Sequence, residues 1–256
     1  MEMADLECVL RQTSDSAIVA RLDGMGEPTL HPEIFDMIRL IKSHNISVSM
    51  STNFDTRNCD QIDEFIESGL DRLIIAVDGA TQDVYEQYRI GGNLERVAQR
   101  TIDLVAAKRR RSAHRPIVEL QMLNLDVNRH QIDDMRKLAH EWGVDRFTLT
   151  GADPTTKVAQ VRLPKNPKRC FWLWYVLTVG WDLGYRSCTN AWSLPWPDLN
   201  VRDIPVSEYW NHYYLREARQ FNKNKCSDFI KKNKGCKCNR CFEMLVAPMQ
   251  GDYFCE

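Results

Sequence analysis

From residue 17 to about 150 the chain alternates short β-branched runs with longer amphipathic stretches, and this alternation limits its fold more than any other feature. Residues 17–22, 46–50, 73–77, 117–123 and 147–149 read as strands. Between them, Glu33 to His44 places Ile34, Met37, Ile38 and Ile41 on one helical face. Asp60 to Ser68 turns Ile62, Phe65 and Ile66 inward and stops at Gly69, where a left-handed C-terminal residue is wanted. Leu94 to Ala107 carries Leu94, Val97, Ala98, Thr101, Leu104 and Val105 at helical spacing, and Gln131 to Trp142 supplies a fourth helix. Five strands separated by four helices predict βα crossover units, hence an α/β fold with a parallel sheet and helices on its outer face.

Beyond Gly151 the texture changes. Residues 153–168 form a Pro-, Lys- and Thr-containing linker, and a second, smaller domain over 169–256 follows. Phe171 to Val179 and Tyr185 to Cys188 flank Gly180-Trp181-Asp182-Leu183-Gly184, which predicts a hairpin with a glycine-permitted turn. Ser207 to Phe221 offers a helix. Trp172, Trp174, Trp181, Trp192, Trp196 and Trp210 concentrate in this region, and most of them are expected to build the core of a unit too small to bury much surface otherwise. No internal repeat is found, and no apolar run approaches the roughly 20 residues that cross a bilayer. The N-terminus lacks the basic and apolar regions of a signal peptide, so a cytoplasmic protein is expected. A formal net charge of -1 gives no global attraction to nucleic acid or to a membrane surface. Lys108 to Arg111 ends a helix, where cations complement the macrodipole, and reads as a solvated face.

Nine cysteines are present, and only Cys8 and Cys59 precede residue 170. The other seven are Cys170, Cys188, Cys226, Cys236, Cys238, Cys241 and Cys255. In a reducing compartment, clustered thiols point to metal ligation or redox chemistry rather than to disulfides. A zinc ribbon and an iron–sulfur site are both open on this evidence, because thiolate tetrads bind either metal.

Three motifs give the sequence a family likeness. Residues 22–33, LDGMGEPTLHPE, resemble the glycine–glutamate motif that ends the second strand of radical SAM enzymes. There Gly24 and Gly26 let backbone approach a ligand, while Glu27 can pair with the ammonium of a methionine moiety. Residues 73–97, LIIAVDGATQDVYEQYRIGGNLERV, resemble the fourth strand, loop and helix start of family members with SPASM or twitch extensions. The likeness implies Asp78 against the ribose of S-adenosylmethionine (SAM) and Arg89 near its carboxylate. STNF at 51–54 resembles the third strand's end, which implies Thr52 and Asn53 facing ribose or substrate, and the adenine region implies Met122, Asn124 and Leu149.

The late cysteines are similar to those of a twitch domain, in which a hairpin and a downstream C-x2-C pair, here Cys238 and Cys241, hold one [4Fe–4S] cluster. Seven cysteines also match the SPASM count, but C-x-C-x2-C replaces C-x2-C-x5-C-x3-C, so one auxiliary cluster is expected and a second is left open.

The resemblance implies a partial (β/α)6 radical SAM barrel over 1–152, lacking its first strand, with a SPASM/twitch-type domain over 169–256. The implied cofactors are SAM and at least one auxiliary [4Fe–4S] cluster. The implied activity is oxidation, cross-linking or epimerisation through a 5′-deoxyadenosyl radical, on a peptide or a cyclitol or aminoglycoside. Lysines at 223, 225, 231, 232, 234 and 237 could receive an acidic donor such as a flavodoxin or ferredoxin. The C-x3-C-x2-C loop that holds the family's SAM-binding cluster does not occur. Either the chain starts after that loop or it is a relative that no longer cleaves SAM and serves as a metal-binding interaction protein; Glu27, Asp78 and Arg89 favour the former.

Overall fold

The computed structural model describes residues 1–24, 26–151, 171–186, 199–224 and 250–253. Its elements are α1 (Met3–Thr13), β1 (Val19–Leu22), α2 (Ile34–Ser43), β2 (Ser47–Thr52), α3 (Glu64–Glu67), β3 (Arg72–Ala76), α4 (Gln82–Tyr88) and α5 (Leu94–Arg110). They continue with β4 (Ile117–Asn124), α6 (Ile132–Glu141), β5 (Arg146–Gly151), α7 (Trp172–Tyr175), β6 (Thr178–Val179), β7 (Tyr185–Arg186), α8 (Val206–Trp210), α9 (Tyr213–Asn224) and β8 (Gln250–Tyr253).

The chain divides into two compact units, neither contiguous in sequence. One joins residues 17–151 to 250–253; the other joins 1–16 to the described residues between 171 and 224. The ends of the chain therefore depart from a simple division at 152 and 169. Cross-strand pairing adds β8 to the sheet, and Met1 together with Cys8 and Val9 of α1 packs on the smaller unit's core.

In the larger unit the sheet order is β1-β2-β3-β4-β5-β8. The five predicted strands pair in parallel, and β8 is antiparallel to β5. Register places Val48, Met50, Leu73, Ile75, Val118, Leu120, Met122 and Phe147 on one face, every one essentially buried. Buried residues on α2 (Ile34, Met37, Ile38, Ile41) and α5 (Leu94, Val97, Leu104, Val105) follow the predicted helical spacing. Burying each such side chain contributes roughly 1.5–3 kcal/mol. The opposite face is polar and carries Ser49, Ser51, Arg72, Glu119, Gln121, Arg146 and Thr148. Glu119, fully buried there, is paired by Arg72 at 2.6 Å and faces Arg146 at 3.6 Å.

Four local expectations change. The helix read over 60–68 is a 3-10 turn (Arg57–Asp60) followed by the short α3, since Gln61 leaves helical geometry (ψ 61°) and Arg100 takes the Asp60 carboxylate. Gly69 does adopt φ 80° at its end. The strand read over 171–179 is α7 followed by two-residue β6, and the residue with positive φ in the β6–β7 turn is buried Leu183 (φ 62°) rather than a glycine. The helix read over 207–221 breaks into α8 and α9 at Asn211, whose side-chain amide bonds back to the Ser207 carbonyl at 3.1 Å. Lys108 is buried, bound to Asp145 at 2.6 Å, so it does not belong to a solvated basic face.

A short repeat also emerges. Gly69-Leu70-Asp71-Arg72 and Gly143-Val144-Asp145-Arg146 each lead into a strand, with the glycine at positive φ (80° and 72°). Each aspartate accepts from a lysine on the helix before the neighbouring strand and from an amide of that strand: Lys42 (2.7 Å) and Val48 N (2.8 Å), Lys108 (2.6 Å) and Val118 N (2.7 Å). Each aspartate amide donates back to the same strand residue, and both arginines face Glu119.

In the smaller unit, Leu173, Leu183, Tyr185, Val201, Tyr209, Leu215 and Ala218 form the core. Trp172, Trp174 and Trp210 pack on it, whereas Trp181 is exposed; Trp192 and Trp196 lie outside the described residues.

Candidate active site

Gly24, Gly26, Glu27, Thr52, Asn53 and Asp78 lie at or just past the C-terminal ends of β1, β2 and β3, where parallel α/β sheets place ligands. Glu27 follows β1 and is half-buried. Its Oε1 accepts from Thr29 N (3.1 Å), Thr29 Oγ1 (2.6 Å) and Thr52 Oγ1 (2.6 Å), and its Oε2 accepts from Asn53 N (2.7 Å). Thr56 donates to Thr29 Oγ1 at 2.8 Å, extending the chain of hydroxyls behind the carboxylate. One oxygen is thereby saturated, while the other keeps acceptor capacity for a cation. Gly24 sits at φ 151°, and among the described residues nothing lies within 4 Å of where a Gly26 Cβ would stand, so the loop is not packed against them there.

Thr52 and Asn53, implied to face ribose or substrate, both engage Glu27. Thr52, 2% exposed, also accepts from Phe54 N, and Asn53 reaches Glu27 through its backbone while its side chain accepts from Asp55 N. Both orient Glu27. Met122 is fully buried on the apolar face of the sheet, so its side chain is not at an open surface. Side chains alternate along a strand, which assigns the polar face to Gln121 and Leu123 instead.

Asp78 and Arg89 come together. Asp78, just past β3 and fully buried, accepts from Arg89 Nε at 2.6 Å and from Leu123 N at 2.7 Å. Burial pushes its carboxyl above the ordinary value, against the opposing pull of Arg89 and the Leu123 amide. Sequence reasoning missed the clamp around it. Buried Asn128 donates to the Asp78 and Leu123 carbonyls (2.9 Å each), and Gln131 accepts from Ala80 N and donates to Thr81 Oγ1. The only sequence signal was a pair of amide side chains in the loop before α6. Gly79 is required by proximity, since an added Cβ would stand 2.5 Å from Tyr85 N.

All seven late cysteines, Cys170, Cys188, Cys226, Cys236, Cys238, Cys241 and Cys255, lie outside the described residues. Among the described residues no group of three or more His, Cys, Asp or Glu is placed to hold a metal. Cys8 packs in the smaller unit, and buried Cys59 meets Thr56 Oγ1 at 3.4 Å, with burial pushing its thiol up.

The family model described as "Radical SAM superfamily" matches residues 22–118. Residues 22–118 are therefore similar to a radical SAM domain. The match includes Gly24, Gly26, Glu27, Thr52, Asn53, Asp78 and Arg89. A tungsten-containing aldehyde ferredoxin oxidoreductase cofactor-modifying protein of Pyrococcus furiosus is 25% identical over 135 residues, covering 52% of this chain and 37% of that protein. Mycofactocin maturase MftC of Mycobacterium ulcerans is 28% identical over 141 residues, covering 54% and 36%. The match thus spans little more than a third of either relative's length. Streptococcus suis SuiB bound to S-adenosylmethionine shares the fold of the chain with a TM-score of 0.67 at 13% identity, over 94% of this chain and 67% of its own; SuiB has also been solved bound to precursor peptide SuiA. The radical SAM family implies SAM and a [4Fe–4S] cluster as cofactors.

Proposed function

We propose that this chain serves a radical SAM oxidoreductase-type enzyme that removes hydrogen from a peptide substrate, with at least one auxiliary [4Fe–4S] cluster held by the late cysteines. The observation that carries the reading is the Glu27 carboxylate, fixed by three hydroxyl and amide contacts on one oxygen and left with acceptor capacity on the other, at the ligand-binding edge of a radical SAM domain. SAM fits these residues: Glu27 meets its ammonium and Arg89 its carboxylate, both charge-assisted contacts. The SAM-ligating cluster does not fit them, because the chain holds no C-x3-C-x2-C triplet, and no step is assigned through it. When bound, SAM would supply radical hydrogen abstraction. The residues of this chain bind and orient it while the adjoining polar sheet face lines the substrate space.

Peptide is the preferred substrate class because a structure sharing the fold is bound to a precursor peptide. The late cysteines would hold an auxiliary cluster that would supply redox capacity, which favours oxidative outcomes, and the lysines close to them in sequence would receive an acidic electron donor.

Anaerobic reconstitution with iron and sulfide, followed by metal analysis and EPR, tests the proposal. About four irons with labile sulfide per chain are expected, falling sharply in a Cys238→Ser/Cys241→Ser variant. Zinc without sulfide would remove the auxiliary cluster and favour an interaction module.

A further inference from the structure

We propose that Asp78 is a positioning residue: it holds the Arg89 guanidinium so that its terminal nitrogens meet the carboxylate of SAM, and it does not itself contact the ribose. This rests on the SAM reading above and changes the role that family likeness implies for Asp78.

The Asp78 side chain is fully buried, and each of its oxygens is engaged, one by Leu123 N at 2.7 Å and the other by Arg89 Nε at 2.6 Å. The Arg89 side chain keeps 24% of its surface, so the accessible end of the pair is the arginine. Contact through Nε alone leaves the two terminal nitrogens, which make no hydrogen bond among the described residues, as a fork suited to a second carboxylate. The fork is also steadied by the Tyr88 ring, 5.4 Å below the guanidinium.

The anchor itself is fixed on both sides. Val77 N donates to Gln121 O (2.9 Å), and Asn128 ties the Asp78 carbonyl to that of Leu123, so the ends of β3 and β4 hold the carboxylate in place. Arg89 caps α4, its amide bonded to Tyr85 O (2.9 Å) and its carbonyl to Gly92 N (2.8 Å). Because the Asp78 side chain is fully buried behind these partners, a ribose hydroxyl could reach it only if the Arg89 side chain or the Leu123 backbone moved aside.

Calorimetric titration of the full chain with two probes tests this. S-adenosylhomocysteine carries the amino-acid end, and 5′-methylthioadenosine has the same nucleoside without it. Asp78→Ser is the informative variant, because serine can still offer a hydroxyl to ribose but no carboxylate to Arg89. We expect Asp78→Ser and Arg89→Gln each to weaken S-adenosylhomocysteine about tenfold or more while leaving methylthioadenosine within about twofold, with the double variant no weaker than Arg89→Gln. Equal losses for both probes, additive with Arg89→Gln, would overturn the proposal in favour of a ribose contact. If the unmodified chain binds neither probe, the SAM reading falls and takes this inference with it. A ligand-free readout stands beside these: the Arg89 Nε–H resonance should exchange slowly in the native chain and rapidly in Asp78→Asn, and exchange unchanged by that substitution also overturns the pair.

Discussion

At Glu27 a single carboxylate gathers donors from three places: Thr29 on its own loop, Thr52 at the end of β2 and the Asn53 amide beyond it. Thr29 and Thr52 are 1% and 2% exposed as residues, so removing either hydroxyl leaves a buried polar atom without its partner. Thr29→Val is expected to lower unfolding stability by about 1–3 kcal/mol and to weaken S-adenosylhomocysteine binding, because Glu27 loses the hydroxyl behind it. Urea unfolding and calorimetry check the two effects, and a fully stable variant with native affinity would contradict the role given to the relay. Glu27, Asp78 and Arg89 were singled out by the likeness of residues 22–33 and 73–97 to family motifs, and the structure pairs Asp78 with Arg89. Their partners were not, because threonine, asparagine and glutamine occur everywhere and only tertiary placement makes Thr29, Asn128 and Gln131 into a cage.

Between elements, the repeated Gly-Leu/Val-Asp-Arg lead-in fastens the N-terminal edge of the sheet. At Asp71 burial acts to raise the carboxyl, but Lys42 and the Val48 amide outweigh it and hold the group below its ordinary value. A depressed folded value means that the contribution of Asp71 is fully present above its unfolded pKa, near 4, and fades as pH falls through the lower folded value. Asp71→Asn should therefore cost about 1–3 kcal/mol at neutral pH, and the difference from the native chain should shrink in acid; a constant difference from pH 7 to pH 2 would contradict this assignment. Gly79 governs the opposite edge. A Cβ there meets backbone at 2.5 Å, so Gly79→Ala should cost about 1–3 kcal/mol in strain and displace the Asp78 loop, whereas Gly26→Ala, with nothing among the described residues within 4 Å, should leave stability nearly unchanged. Thermal unfolding of the pair measures the contrast. The parallel strands were readable from β-branched runs because each is buried against helices on one face. The break in the 57–67 segment was not, since it depends on Arg100 reaching Asp60 from a helix 40 residues away. The antiparallel β8 was missed because Gln250-Gly251-Asp252-Tyr253 has no strand periodicity of its own.

For the whole molecule, the two units carry separate parts of the account. The larger presents the ligand edge on a rigid sheet; the smaller is organised by an aromatic core with Tyr185 and Tyr209 stacked at 3.9 Å. Burial pushes Tyr185 up to about 12, so it stays neutral across the physiological range. Among the described residues no helix is long and apolar enough to cross a membrane. The central claim is that the larger unit binds the amino-acid end of SAM through Glu27, and titration of S-adenosylhomocysteine into the native chain and Glu27→Gln tests it most directly. Saturable binding, weakened about tenfold or more by the substitution, is the predicted result. Equal affinity in the two proteins, or none in the native chain, would contradict the account.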